Sequence, residues 1–185
     1  GISIAAGTAS DLAGNMALAA GPSANFSVDS IAPTLVISGP SSTLTNTGPV
    51  TYTVSYTGAD SVTLVNTNIT LNTSGTATGS VAVSGPAPAS TPVTTPGITG
   101  NGTLGISIAA ATASDLAGNT AAAAGPSATF AVDNTAPIIA ISAPSLAATT
   151  GGPVTYTVTY TGADSVTLAN ANIILNATGT AAAAV

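Results

Sequence analysis

Lysine, arginine, histidine, glutamate, glutamine, cysteine and tryptophan are all missing from these 185 residues. Six aspartates supply the only side-chain charge, a formal net charge of -6. Each absence removes a class of chemistry. Without a cationic side chain there is no salt bridge and no grip on phosphate. That argues against nucleic acid as a partner, because affinity for it rests on Lys and Arg. Attraction to an anionic membrane surface goes for the same reason. Without Cys there is no disulfide and no thiolate metal site. Without His, Cys, Lys, Glu or Arg there is no base, nucleophile or oxyanion clamp beyond a pair of Asp, so an enzyme is not expected. The apolar runs are short and rich in Ala, and no signal peptide or membrane span is expected. The chain starts at Gly1 rather than Met, as a processed protein or a slice of a longer one would.

What is present is a repeat. GISIAA at Gly1 returns at Gly105, and VTYTV at Val50 returns at Val154. Residues 1–81 align with 105–185 at an offset of 104, without a gap, and 56 of the 81 pairs are identical. That period is too long for a solenoid repeat and close to the roughly 100 residues of an immunoglobulin-like sandwich. The expected organisation is the C-terminal, F–G part of one unit over 1–30, a complete unit over 31–134, and the N-terminal part of another over 135–185.

The pattern inside the unit is all β. Val50, Tyr52, Val54 and Tyr56 alternate with Thr51, Thr53, Ser55 and Thr57, the period-two signature of a half-buried strand. Thr34 to Ser38, Thr103 to Ala109 and Ser127 to Asp133 alternate in the same way, and shorter signals sit around Val62, Ile69 and Val81. Gly85 to Pro96, rich in Pro, Ser and Thr, is expected to be a loop or irregular edge. Short strands with frequent turns favour a sandwich or barrel. The core should be thin, because aromatics are 3% of the chain and Ala buries little. Tyr52, Tyr56, Tyr156 and Tyr160 are expected in the core rather than on a ligand platform. The outward Thr rows are explained by β-branching before any ice-binding role.

The six aspartates fall on three repeat positions: Asp11 and Asp115, Asp29 and Asp133, Asp60 and Asp164. In an immunoglobulin-like sandwich the entry link, the B–C loop and the F–G loop share one end. Asp29, Asp60 and Asp115 would then converge where one unit meets the one before it. With no cation in the chain, close carboxylates repel unless a metal neutralises them. Ca2+ suits such a site, taking 6–8 oxygen ligands in flexible geometry. Asn119, backbone carbonyls and water would complete the shell, and Asp133 with Asp164 forms a second, incomplete set. The plainer reading is that Asp and Asn cap local turns, with Gly118 supplying a positive φ. Sequons at Asn25, Asn68, Asn72, Asn101 and Asn176 leave room for glycan decoration.

GPVTYTVxYTGADSVTL, GISIAAxTASDLAGN and SATFAVDNTAP together resemble bacterial Ig-like tandem repeats of very large secreted or cell-surface proteins, over nearly the whole chain. The resemblance implies a stalk, adhesin or fibre, in arrays whose junctions are often stiffened by Ca2+. It places Asp29, Asp60 and Asp115 in that role. The first expectation is therefore an extracellular structural array, a surface fibre, filament or stalk that partners with copies of itself. The nearly uncharged surface favours association. The second is an adhesin segment whose loops bind a glycan or protein.

Overall fold

A computed structural model of the chain describes residues 1–85 and 90–185. It is nearly all β, with no α-helix among the described residues. The chain divides into two compact units, Gly1–Asp133 and Asn134–Val185.

In the first unit the strands are β1 (Thr34–Ile37), β2 (Leu44–Thr45), β3 (Val50–Thr57), β4 (Ser61–Val62), β5 (Ile69–Thr73), β6 (Ala82–Val83), β7 (Ser90–Thr95), β8 (Gly102–Ile108), β9 (Ala113–Ser114) and β10 (Phe130–Val132). One four-stranded sheet runs β1-β3-β7-β6, a second runs β2-β10-β8-β5, and β4 pairs with β9. The pairings are antiparallel except β10 with β2, which is parallel. A short 3-10 turn, Asn66–Asn68, leads into β5. It is held by the Asn68 carboxamide oxygen, which accepts the Val65 N–H at 3.0 Å.

The alternation in β3 decides its orientation. Val50, Tyr52, Val54 and Tyr56 are buried while Thr53 and Thr57 face solvent. From the other sheet Leu104, Ile106, Ile108, Phe130 and Val132 are buried in the same core. Both sheets thus supply one core, which is compatible with a β-sandwich. Tyr52 and Phe130 meet across it with ring centroids 6.3 Å apart. The tyrosines carry their polar tips into the core with partners. The Tyr52 hydroxyl donates to the Ala128 carbonyl at 2.9 Å, and the Tyr56 hydroxyl to Thr112 Oγ1 at 2.8 Å. Burial pushes the Tyr52 and Tyr56 phenols above the usual tyrosine range. No buried side-chain N or O among the described residues lacks a hydrogen bond, as a low-dielectric interior requires.

One expected loop is a strand. Of Gly85 to Pro96, residues 86–89 lie outside the described residues, but Ser90–Thr95 is β7, an inner strand of its sheet. It pairs with six residues of β3, Pro92 lying opposite Thr53. Proline is normally confined to sheet edges because it cannot donate to the ladder. Here the Pro92 carbonyl accepts the Ser84 N–H at 3.1 Å. A residue's nitrogen and carbonyl point to the same side of a strand, so the nitrogen without a hydrogen faces the β6 side. The ladder with β3 loses nothing. Glycine also sets the packing here: a Cβ at Gly102 would run into the backbone of Ser74.

In the second unit, β11 (Ile138–Ile141) pairs antiparallel with β12 (Val158–Thr161), with Ile138 opposite Thr161. Adding 104 to the β1–β3 register gives the same pairs. A 3-10 turn follows at Asn170–Asn172. Most of its apolar side chains are exposed, among them Ile138, Ile139, Ile141, Tyr156 and Ile174.

Candidate functional site

The β4–β9 pairing puts Ser61 opposite Ser114 and Val62 opposite Ala113. It therefore lays the Gly58-Ala59-Asp60 turn against the loop Asp115–Asn119. The Asp60 N–H donates to the Ser114 carbonyl at 2.9 Å. The Asp60 carboxylate in turn accepts the Leu116 N–H at 2.8 Å. The two loops are clasped through main chain and side chain at once.

The Asp115 loop is largely self-made. The Asp115 carboxylate accepts the Asn119 backbone N–H and the Asn119 side-chain amide, each at 2.8 Å. The Gly118 N–H returns to the Asp115 carbonyl at 3.2 Å. Gly118 sits at φ +92, in a region that side-chain-bearing residues rarely enter. The Asn119 side-chain bond comes first among the hydrogen bonds that hold the Asp115 carboxyl below its ordinary value. Ionised carboxylates favour such donors, and the donors in turn favour the ionised form.

Asn119 also joins the loop to the entry link. Its Nδ2 donates to the Asp29 carbonyl at 3.1 Å. The Asp29 carboxylate is turned to the Ile31 N–H at 2.9 Å. Three segments far apart in sequence thus meet: entry link, turn after β3, and the loop after β9. Their carboxylates are used on backbone and amide N–H groups. Among the described residues no three acidic side chains are grouped to hold a metal ion. The available donors are oxygens, the kind Ca2+ takes. Asp133 has its N–H on the Thr45 carbonyl at 3.0 Å. Asp164 occupies the turn after β12 and is the only acid of residues 134–185.

Two contacts escape a reading based on charge alone. One is the Leu116 N–H as the donor to Asp60. The other is the Asn119 side-chain amide as a donor to both Asp115 and Asp29. The spacing of four between Asp115 and Asn119 was the available signal, since a short acidic side chain reaches N–H groups a few residues ahead. Two hollows, of about 390 and 210 Å3, line the open apolar side of residues 134–185, around Tyr160 and Leu168 and around Leu175 and Ala181. Among the described residues no helix is long and apolar enough to cross a membrane. No protein family, curated protein or solved structure matches the chain.

Proposed function

We propose that the chain is a stretch of an extracellular or cell-surface structural array: a fibre, filament or stalk of immunoglobulin-like sandwiches spaced 104 residues apart. Its partners are copies of itself, and it carries no catalytic machinery. Strand order supports the fold. If β1, β3, β5, β6, β7, β8 and β10 are lettered A to G, one sheet runs A-B-E-D and the other G-F-C. That is the partition of a seven-stranded immunoglobulin-like domain.

The observation that carries the reading is repetition of local structure. Asn15 caps Asp11 through its backbone N–H and its side-chain amide, both at 2.9 Å, as Asn119 caps Asp115. The Asn172 carboxamide accepts the Ala169 N–H at 2.9 Å, as Asn68 accepts from Val65. The seam supports a stiff connection, because the link that enters the sandwich at Asp29 is tied to the loop that carries Asn119.

Calcium at that seam belongs to the same proposal, with Asp29, Asp60, Asp115 and Asn119 as its holders and Asp133 with Asp164 as the next set. Bound there, the ion would supply the positive charge that the sequence lacks. The experiment is a recombinant chain carrying several further copies of the repeat, viewed by electron microscopy. Rods whose length grows by a constant step per copy are expected. Compact or irregular particles would overturn the array. A thermal melt with and without chelator tests the ion: a lower midpoint is expected, and an unchanged one leaves the seam to hydrogen bonds alone.

A further inference from the structure

We propose that the outer edge of β5 is an interface at which two copies of this chain pair side by side, β5 against β5, antiparallel. This rests on the array reading and names a lateral contact for it. β5 is the last strand of the sheet β2-β10-β8-β5, so only one of its sides is paired. The register fixes which groups face the open side. The Ser74 N–H meets the Thr103 carbonyl, and the Asn68 carbonyl takes the Ala109 N–H, both at 2.9 Å. A residue's N–H and C=O point to the same side of a strand, and the side alternates from residue to residue. Asn68, Thr70, Asn72 and Ser74 therefore serve β8, while Ile69, Leu71 and Thr73 face outward. The Ile69 N–H is used locally, on the Asn66 carbonyl. The N–H and C=O of Leu71 and Thr73, and the Ile69 C=O, have no partner among the described residues.

This edge carries none of the usual guards. Natural edge strands are blunted by charge, proline, bulges or shortness. β5 is five residues, Ile-Thr-Leu-Asn-Thr, with no Pro, Gly or charge. The other edges of the two four-stranded sheets are guarded. β2 and β6 are two residues each, and the Val83 N–H of β6 is taken by the Asn66 side-chain oxygen at 2.8 Å. β1 is four residues between Pro33 and Pro40. The occupant that fits the open edge is β5 of a second copy. A two-fold axis at Leu71 makes the edge its own complement. The two Leu71 residues exchange both N–H···O bonds, and each Thr73 N–H reaches the other copy's Ile69 carbonyl. Leu71 lies opposite Ile106, half-buried against the core, and the second Leu71 covers it as a cross-strand neighbour does. The Asn72 amide is tied to Ser107 Oγ at 2.8 Å and leaves the edge clear. No carboxylate stands in the strand, so copies of like charge do not meet charge to charge along it. The same edge recurs in the sequence, Ile69, Leu71 and Asn72 returning as Ile173, Leu175 and Asn176. Two arrays can then pair at many points, and individually weak contacts add up.

The test is amide hydrogen exchange and analytical ultracentrifugation of the intact 185-residue chain, from dilute to concentrated solution. A dimer whose fraction grows with concentration is expected, with the Leu71 and Thr73 amides slowed about tenfold or more as it forms. Thr73→Pro deletes an outward N–H and leaves the β8 ladder whole, as the nitrogen of Pro92 does for β3. Two hydrogen bonds are lost per dimer, and association should weaken about tenfold or more. Leu71→Lys puts a charge on the edge of each copy and should do the same. Thr57→Lys, an equal charge on the exposed face of the other sheet, should not. A wild-type chain that stays monomeric, protection that arises elsewhere, or dimers that survive both edge variants would each overturn the proposal. Should Thr73→Pro not fold, the exchange data and Leu71→Lys decide alone. Rods of the multi-copy chain that stay single, with these amides unprotected, would sink the lateral contact and leave the array standing. Dimers paired at β5, from a chain whose multi-copy form is irregular, would do the reverse.

Discussion

Residues 105–134 and 1–30 carry almost the same sequence, yet one is packed and the other is not. Their local hydrogen bonds agree closely. The Ile108 N–H meets the Ala124 carbonyl at 2.7 Å and the Ile4 N–H meets that of Ala20 at 2.8 Å. The Ala121 N–H meets the Ala113 carbonyl at 2.9 Å and the Ala17 N–H meets that of Ala9 at 2.8 Å. What differs is the ladder and the burial. Gly102–Ile108 and Phe130–Val132 are strands with partners, whereas residues 1–30 contain only the isolated bridges Ile4–Ala20 and Ser10–Met16. The turn chemistry is written in the sequence at short range. The strand is not, because a strand needs a neighbour to hydrogen-bond it.

The second half of the molecule teaches the same lesson. β12 begins at Val158, while its counterpart β3 begins four repeat positions earlier, at Val50. Val50 to Ser55 pair with β7, and residues 134–185 have no β7. The hydrogen bonds that need only nearby segments persist. Thr155 N–H to Ser145 Oγ and Thr51 N–H to Ser41 Oγ are both 2.9 Å.

Three substitution pairs sharpen or break this contrast, beginning with the largest effect. Phe130→Ala should cost about 3–5 kcal/mol in denaturant unfolding, the usual loss for a large buried side chain. Phe26→Ala should change monomer stability by less than about 0.5 kcal/mol, as surface changes do. Equal costs at the two sites would mean that residues 1–30 are packed after all.

Tyrosine comes next. Tyr52→Phe removes the hydroxyl that serves the Ala128 carbonyl and should cost about 1–2 kcal/mol, while Tyr156→Phe should cost almost nothing. Burial raises the folded-state values of Tyr52 and Tyr56, so the unfolded chain loses its phenol protons first. Their contribution is complete below the ordinary tyrosine value near 10 and is lost as pH rises through the higher folded values. A melt followed into alkali should therefore fall steeply, and a flat profile would count against the buried tyrosines. At the acid end the sign reverses. Asn15 and Asn119 hold Asp11 and Asp115 low, and that stabilisation is lost as pH falls through their depressed values.

The smallest effect is at the tight turn after β8. Ala111 adopts φ 61, a left-handed conformation that its counterpart Gly7 takes at φ 82. Ala111→Gly should stabilise the complete unit by about 0.5–1 kcal/mol, by relieving the Cβ. Gly7→Ala should change the same melt by much less, since residues 1–30 contribute little packing to it. A loss of stability on Ala111→Gly would show that the turn is not strained by its side chain.

Much of the fold was legible in the sequence. β1, β3, β8 and β10 fall where apolar residues alternate, because a pleated strand sends every second side chain to one face. Tyr52 and Tyr56 fall inside because they share that face with Val50 and Val54, whereas Tyr156 and Tyr160, also expected in the core, are exposed and half-buried because residues 134–185 bring no second sheet against them. β7 was not legible. Its sequence, STPVTT, carries the composition of a loop, and only the direction of the Pro92 nitrogen makes it tolerable beside β3. The meeting of the Asp29, Asp60 and Asp115 segments followed from topology. The use made of each carboxylate did not, since a carboxylate can serve an N–H or an ion and charge alone does not choose between them.

By itself the sequence determined the repeat, the alternation that marks the main strands, and the self-capped Asp-to-Asn loop, because each depends on residues within a few positions of one another or on plain identity at a fixed offset. The tertiary structure decided which strands exist as strands, which of two identical phenylalanines is buried, and which N–H the Asp60 carboxylate receives. Those outcomes depend on partners brought from other segments of the chain, as when Asp60 meets Leu116 and Tyr52 meets Ala128. A short segment cannot contain that information, because the free energy of burial and of ladder pairing exists only once the second surface has arrived.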